Sequence, residues 1–484
     1  MLVRPVARPA RHRSAYGHVP RRIGPPPADP RGGPGAARGA YFALSVVFGM
    51  NLLNYVDRYV FSSLGPALTS AAPRGLALSD RQFGTLGASF ILVYTVASPV
   101  VGWLGDRFDR RRLMAFGVAL WSLATVATAF ARDYSHMFAA RAVLGIGEAS
   151  YGVVAPALLA DLFARRSRGW VMGVYYLALP IGAAVGFAIG GIVEKRYNWQ
   201  TAFWVVGVPG LLVAALGLLI RDPGRGASEG EIAEAAVVES PMAAYGRLFR
   251  TPSYLLNVGG MAAVTFTTGA FAHWAPIFYN RVRGMPSAVA NLRIGVVMAG
   301  AGLLGIALAT WGPDRLLRLT RRAYMIWAAL AVMIAVPFGV MGLLAADPSR
   351  SMGLMFVAMV ALAAVLGPCN AVTANVVSAG RRAAGFATSI FLIHVLGDIA
   401  SPPLIGHLSE VFGRREVVAS PIGRFLSSVG ATPIGDKNLT AAMLLVIPVL
   451  LLGCVLFALG STWLPRDQER ATAEGGGGGV GNYH

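Results

Sequence analysis

Residues 51–60 read NLLNYVDRYV, an Asp57–Arg58 pair inside apolar sequence that runs from Tyr41 to Leu68. Each such charge costs about 2.5–3.5 kcal/mol near the middle of a membrane-spanning helix, so the pair needs partners or a task. The stretch RAVLGIGEASYGVVAPALLADLF holds two more deep charges, Arg141 and Glu148. Seven residues apart, they share a helix face but stand about 10.5 Å apart along its axis, too far for an ideal direct bond. A side chain from another helix could bridge them, and Asp57 and Arg58 are the other deep charges in this half of the chain. A carboxylate beside an arginine stays ionised, whereas one left in apolar surroundings takes up a proton. Four such residues that exchange partners would couple a conformational change to proton uptake. The alternative is a static ion-pair cluster that only holds helices together. Asp57 is the first choice for the proton site, and Arg58 for its partner or for the contact to a bound anion. Arg141 is a second such contact.

The second half has its own polar set. FTTGAFAHWAP carries Thr267, Thr268 and His273, and GPCNAVTANVV carries Asn370, Thr373 and Asn375. IHVLGDIASPPLIG places His394 and Asp398 four residues apart, on one helix face, ahead of Pro402 and Pro403. Thr267, His273, Asn370, Asn375, His394 and Asp398 are therefore candidate ligand contacts, with Arg58, Arg141, Glu148 and Tyr151 from the first half. His394 reads equally well as a satisfied core histidine.

A third constellation is the loop GWLGDRFDRRRL, Gly102 to Leu113. Gly102 allows close helix packing, Asp106 can cap the next helix, and Arg107, Arg110 and Arg111 can seek a carboxylate on a neighbouring helix end. Asp161, in ALLADLFARRSRG with Arg168 just beyond it, is the expected acceptor. Asp314 and Arg315 repeat the Asp106–Arg107 step in the second half and complete a candidate gate. A plain cluster of loop arginines is the alternative.

These residues need elements that can hold them. Of the 484 residues 55% are hydrophobic and 13% charged, with a mean hydropathy of +0.58. Water-soluble domains carry about a quarter charged residues, so lipid is the expected solvent and the class is an all-α integral membrane protein. Apolar runs of spanning length occur near residues 41–69, 80–104, 111–131, 136–163, 169–193 and 199–220, then 253–280, 291–313, 322–346, 351–378, 384–412 and 440–464. That predicts twelve transmembrane helices in two six-helix bundles, 40–220 and 253–465, joined by a cytoplasmic linker at 221–252 with a short surface helix in EGEIAEAAV. Residues 1–39, rich in Arg, Pro and Gly, and residues 466–484 read as disordered tails. Cys369 and Cys454 sit in apolar segments without ligand-like neighbours, so no disulfide, metal site or cofactor is expected.

The formal net charge of +19 comes from arginines in short loops between apolar runs, not from a nucleic-acid surface. Loops 2/3, 4/5, 8/9 and 10/11 are basic, which places both termini in the cytoplasm of a cell-membrane protein, although Arg281, Arg283 and Arg293 in loop 7/8 break the trend. The halves also look like one unit used twice. Asp106-Arg107 recurs 208 residues on, Pro156 recurs 212 residues on as Pro368, and Arg165-Arg166 recurs 216 residues on as Arg381-Arg382. Parallel repeats of this kind place a site between the halves and work by rocking.

The 102–113 loop resembles the signature loop of the major facilitator superfamily, with Asp109 where glycine is usual, and GVYYLALPIGAAVGFAIGG resembles the Gly/Pro-rich fifth helix of its antiporters. NYVDRYV, GWLGDRFDRRRLM, RAVLGIGEASYGVVAPALLADLF and HVLGDIASPPLIG together resemble its Spinster branch, from about Tyr41 to Leu464. That resemblance implies the major facilitator fold and proton-linked export of lysophospholipids or sphingoid lipids. It ties Asp57, Arg58, Arg141 and Glu148 to coupling and substrate handling. The expected protein is a monomeric secondary transporter of an amphipathic, lipid-like substrate with protons as partner, its cavity lined by helices 1, 4, 5, 7, 10 and 11. Efflux of hydrophobic drugs, transport of small organic anions, and a non-transporting receptor or scaffold are the rival readings. No Walker loop or nucleophile–base pattern suggests an enzyme.

Overall fold

The computed structural model describes residues 34–224, 246–378 and 381–475, and the side chains of Asp106, Arg165, Arg166 and Arg382 fall outside the described set. Within these residues the regular structure is helical, apart from one isolated bridge between Ile434 and Lys437. Six long helices form the first half: α1 Pro34–Ser63, α2 Asp80–Arg107, α3 Arg110–Thr128, α4 Tyr134–Leu162, α5 Ser167–Arg196 and α6 Trp199–Gly217. The second half has α7 Pro252–Val282, α8 Ser287–Leu317, α9 Ala323–Leu344, α10 Pro348–Val376, α11 Ala384–Gly413 and α12 Leu439–Ala473. Eleven of the twelve are long and apolar enough to cross a bilayer. The twelfth, α3, has the same 19 residues as α6 but opens on three arginines.

Both tails give ground to helix. α1 is helical from Pro34, where the described residues begin, six residues ahead of the expected bundle start at 40. The last helix continues to Gly475, ten residues past the expected bundle end at 465. The surface helix expected in EGEIAEAAV, residues 229–237, lies outside the described residues.

Five helices carry a break that the hydropathy pattern does not announce: at Val153, Leu177, Ala364–Val365, Gly397–Ala400 and Leu444–Leu445. Each lies within two to five residues ahead of a proline: Pro156, Pro180, Pro368, Pro402 and Pro448. A proline ring removes one backbone donor and collides with the carbonyl four residues back, which opens the helix there. Pro156 and Pro368, the repeated pair, break the corresponding helices α4 and α10 in the two halves.

The halves meet along two seams, α2 with α11 and α5 with α8. Both depend on backbone approaching backbone. A methyl group at Gly84 would sit 2.3 Å from Pro402 O, and one at Gly191 would sit 2.9 Å from Asn291 Cβ and 3.2 Å from Ala288 Cα. Asn291 also donates to Ser63 O at 2.9 Å, tying α8 to the end of α1. One apolar core joins the second half to part of the first, with Phe61 and Phe83 of the first half in the same cluster as Trp274 and Ile277 of the second. A separate core around Met50, Trp121 and Tyr151 serves the first half alone.

Candidate functional site

Between the halves lies a cavity of about 300 Å³. α1, α2, α4 and α5 line it from the first half, and α7, α8 and α11 from the second. The expected α10 contributes nothing to this wall, and α2 and α8 take its place.

The deep charges do meet, but in a different pairing from the one expected. Arg58 donates to one oxygen of Glu148, from Nε at 3.0 Å and from Nη2 at 2.5 Å. Its partner is thus Glu148, not the adjacent Asp57, because neighbouring residues on a helix point about 100° apart. The Arg58 guanidinium lies among the rings of Tyr55, Phe90 and Tyr94, at 5.4, 5.1 and 5.7 Å from their centroids. Arg141 makes no bond to Glu148, in keeping with their axial separation. It donates from Nε to Leu86 O at 3.0 Å and stacks on Phe61 at 3.7 Å and Phe90 at 4.9 Å. Phe90 therefore sits between two guanidinium groups, each held by cation–π attraction.

Asp57 is 2% exposed, and its Oδ2 has no hydrogen-bond partner among the described residues; Glu148 Oε1 is in the same position. The four residues form one electrostatic cluster in which a single ion pair is closed. Two acceptor oxygens remain available for a proton or a rearranged arginine.

Across the cavity, His394 Nδ1 lies 2.9 Å from Asp398 Oδ1, and both side chains face the space. His273 also lines it, stacked on Phe83 with centroids 4.3 Å apart and Nε2 unbonded among the described residues. Four other candidate contacts lie elsewhere. Tyr151 points into the first-half core, where its hydroxyl meets Val47 O and the Tyr175 hydroxyl. Thr267 bonds back to Ala263 O and faces the apolar interior of the second half, while its neighbour Thr268 lines the cavity. Asn370 and Asn375 are exposed, and Asn375 lines a separate recess with Arg321 and Glu469. Helical spacing settles the two threonines, which lie about 100° apart.

At the Asp109 end of the bundle, α3 is capped by Asp109 and not by Asp106, which lies within α2. Asp109 Oδ1 accepts from the backbone N–H groups of Arg111 and Arg112. Arg110 is the arginine that reaches Asp161, at 2.5 Å, and it forms a two-point pair with Asp222. The start of α3 is thereby joined to the end of α4 and to the segment after α6, all within the first half. Arg168 donates to Ala160 O and Phe163 O. Gly102 leaves only a 3.7 Å approach to Val153, and Asp106 lies outside the described side chains. Arg107 and Arg315 stack on Trp103 and Trp311.

The opposite end holds a cluster that no motif announced. Asp80, fully buried, accepts from Arg281 Nη1 at 2.8 and 3.0 Å, from Ser409 Oγ at 2.8 Å and from Lys437 Nζ at 3.2 Å. One carboxylate of the first half thus binds three groups of the second. The neighbouring Ser79–Gln82 capping box makes Asp80 look in sequence like an ordinary first-turn acid. The arginines of loop 7/8 each have a partner: Arg281 pairs with Asp80 in this cluster, and outside it Arg283 donates to Leu343 O and Arg293 to Ser349.

Comparison with known proteins completes the description. The family model of the Major Facilitator Superfamily matches residues 47–394. "Protein spinster" of Drosophila melanogaster is 32% identical over 384 residues, covering 77% of this chain and 62% of that protein. "Protein spinster homolog 3" of Mus musculus is 31% identical over 460 residues, covering 90% of this chain and 86% of that one. "Protein spinster homolog 1" of Homo sapiens is 33% identical over 388 residues, covering 76% and 72%. Among solved structures, a bacterial homologue of the human lysosomal transporter Spinster, inward-facing and unoccupied, superimposes with a TM-score of 0.75 at 20% identity. The match covers 89% of this chain and 98% of that one.

Proposed function

The chain belongs to the Spinster group of the major facilitator superfamily, multi-pass membrane transporters, and from that membership we propose proton-coupled export of an anionic amphipath by alternating access. The substrate class is a lysophospholipid, a sphingoid lipid or a related molecule. One observation carries the reading: Arg58, paired with Glu148, lines the cavity between the halves, and Asp57 beside it has an Oδ2 without a partner among the described residues. An anionic head group competes with Glu148 for Arg58. A proton on Glu148 or Asp57 resolves that competition, and so links the two fluxes. Phe61, Phe90, Ile91, Leu179 and Met298 give the apolar wall a tail would use.

In the same reading the Asp109 end is cytoplasmic, with both termini, in the cell membrane, and the monomer is the working unit. Arg110 with Asp161 forms the latch of the cytoplasmic gate, with Gly102, Asp106, Arg107, Arg111, Arg168, Asp314 and Arg315 around it. Transport of a small organic anion is the second reading. It is favoured by the cavity's 300 Å³, which fits a head group or a small acid more readily than a whole lysolipid.

Proteoliposomes under a pH gradient separate the readings. Lysophospholipids, sphingoid lipids, organic acids and hydrophobic drugs are offered in turn, while substrate movement and internal pH are followed together. Coupled movement of lysolipid and protons is the expected result. If only organic acids move, the lipid assignment falls, and if no ligand or gradient moves anything, transport itself falls.

A further inference from the structure

Two tryptophan–arginine pairs stand in corresponding places of the two halves, at the end that carries the arginine-rich loops. α2 closes on WLGDR, residues 103–107, and α8 closes near WGPDR, residues 311–315. In the first, the Arg107 guanidinium carbon lies 3.9 Å from the centroid of the Trp103 ring; in the second, Arg315 lies 4.0 Å from Trp311. The four-residue spacing puts ring and guanidinium one above the other on a helix face. Both tryptophans are 54% exposed, and both arginines are exposed as well.

Neither arginine forms an ion pair among the described residues. Others at this end do: Arg110, Arg111 and Arg112 each meet an aspartate, and Arg321 meets Glu469. A cation at the end of a membrane-spanning helix, over an exposed indole and without an ion-pair partner among the described residues, can offer its N–H groups to an anion. Tryptophan at a helix end belongs at head-group depth, and arginine extends its charge to the same level. The planar fork of N–H donors matches the geometry of a phosphate. Both halves hold the same arrangement, with matching stacking distance and exposure, and at that depth the phosphate available is a lipid's.

We propose that each Trp–Arg pair binds the phosphodiester of an anionic phospholipid, one lipid on each half, in the leaflet that faces the arginine-rich loops. The assignment goes beyond the cavity and does not depend on what the cavity carries.

Native mass spectrometry of the full chain in detergent, titrated with phosphatidylglycerol, tests it. Two retained lipids are expected in the unaltered protein, one in Arg107→Gln or Arg315→Gln, and none in the double variant. Trp103→Phe and Trp311→Phe keep a ring and should bind nearly normally, whereas Trp103→Ala and Trp311→Ala should weaken the affected site roughly fivefold. In nanodiscs of the unaltered protein, phosphatidylglycerol brominated near the head group should quench tryptophan fluorescence more than brominated phosphatidylcholine. The Trp103→Phe, Trp311→Phe double variant should lose that excess. Undiminished lipid retention in the Arg107→Gln, Arg315→Gln double variant overturns the proposal, as does equal retention of phosphatidylcholine. Displacement of the lipid by millimolar inorganic phosphate would mean that the sites take free phosphate, and overturns it too.

Discussion

Arg58 is held by a carboxylate on one side and by three aromatic rings on the other. Glu148→Gln removes the carboxylate and leaves the rings. Breaking a buried pair costs about 3–5 kcal/mol, and the low end applies because Arg58 keeps one face on the cavity. A lower unfolding temperature in detergent is therefore expected, together with tighter binding of anionic ligands, since Glu148 no longer competes for Arg58. Arg58→Gln should abolish that binding, and isothermal titration with a lysophospholipid compares the two. In unaltered protein under the proposed coupling, ligand affinity should rise as pH falls, because a proton taken up by the charge cluster frees Arg58 for the anion. Asp57→Asn should fold and insert normally but lose pH-driven transport; unchanged pH dependence would move the proton to Glu148 or Asp398. Sequence spacing made the four charges legible as a group, and correctly denied a direct Arg141–Glu148 bond. It could not choose between Asp57 and Arg58 as the partner of α4, because that depends on how α1 is rotated about its axis.

At the scale of elements, Arg110 joins α3 to α4 and to the segment after α6. Arg110→Gln removes the cation that joins Asp161 to Asp222, so the Asp109 end of the first half should loosen. Faster amide hydrogen exchange in residues 156–162 and at the start of α3, with α9 and α12 unaffected, is the expected pattern. That an arginine of the 102–113 loop meets Asp161 could be anticipated from charge and position. The aspartate that caps α3 could not, since Asp106 and Asp109 are both near enough to serve and the cap depends on where α2 stops. Apolar run length located all twelve helices yet missed their interruptions. Hydropathy averages over a window, whereas a proline acts on one carbonyl, and only the doubled Pro156 and Pro368 hinted at a shared break.

For the molecule as a whole, the Asp80 end is held shut chiefly by a buried carboxylate shared by Arg281, Lys437 and Ser409, with Glu410 accepting from the Arg81 N–H beside it. Asp80→Asn leaves two cations of the second half without their counter-charge, and the two halves should part more readily there. Spin labels at exposed positions 81 and 407 should show a longer-distance population that the unaltered protein lacks. An unchanged distance distribution would mean that the glycine-lined seams, not the charges, hold this end shut. The seam of α5 with α8 runs from Gly191, against Ala288, to Gly302, 3.6 Å from Pro180 when built out to a Cβ. A line of contact that begins at a closed end and reaches the middle of the bundle is a lever with its fulcrum built in. If the Pro180–Gly302 contact stays in place while the Gly191 end separates, a tilt of about 10° moves the Gly191 end, about 16 Å along the helix, by about 3 Å. Energy released by one ion pair at the cavity can then be spent far from where it was stored.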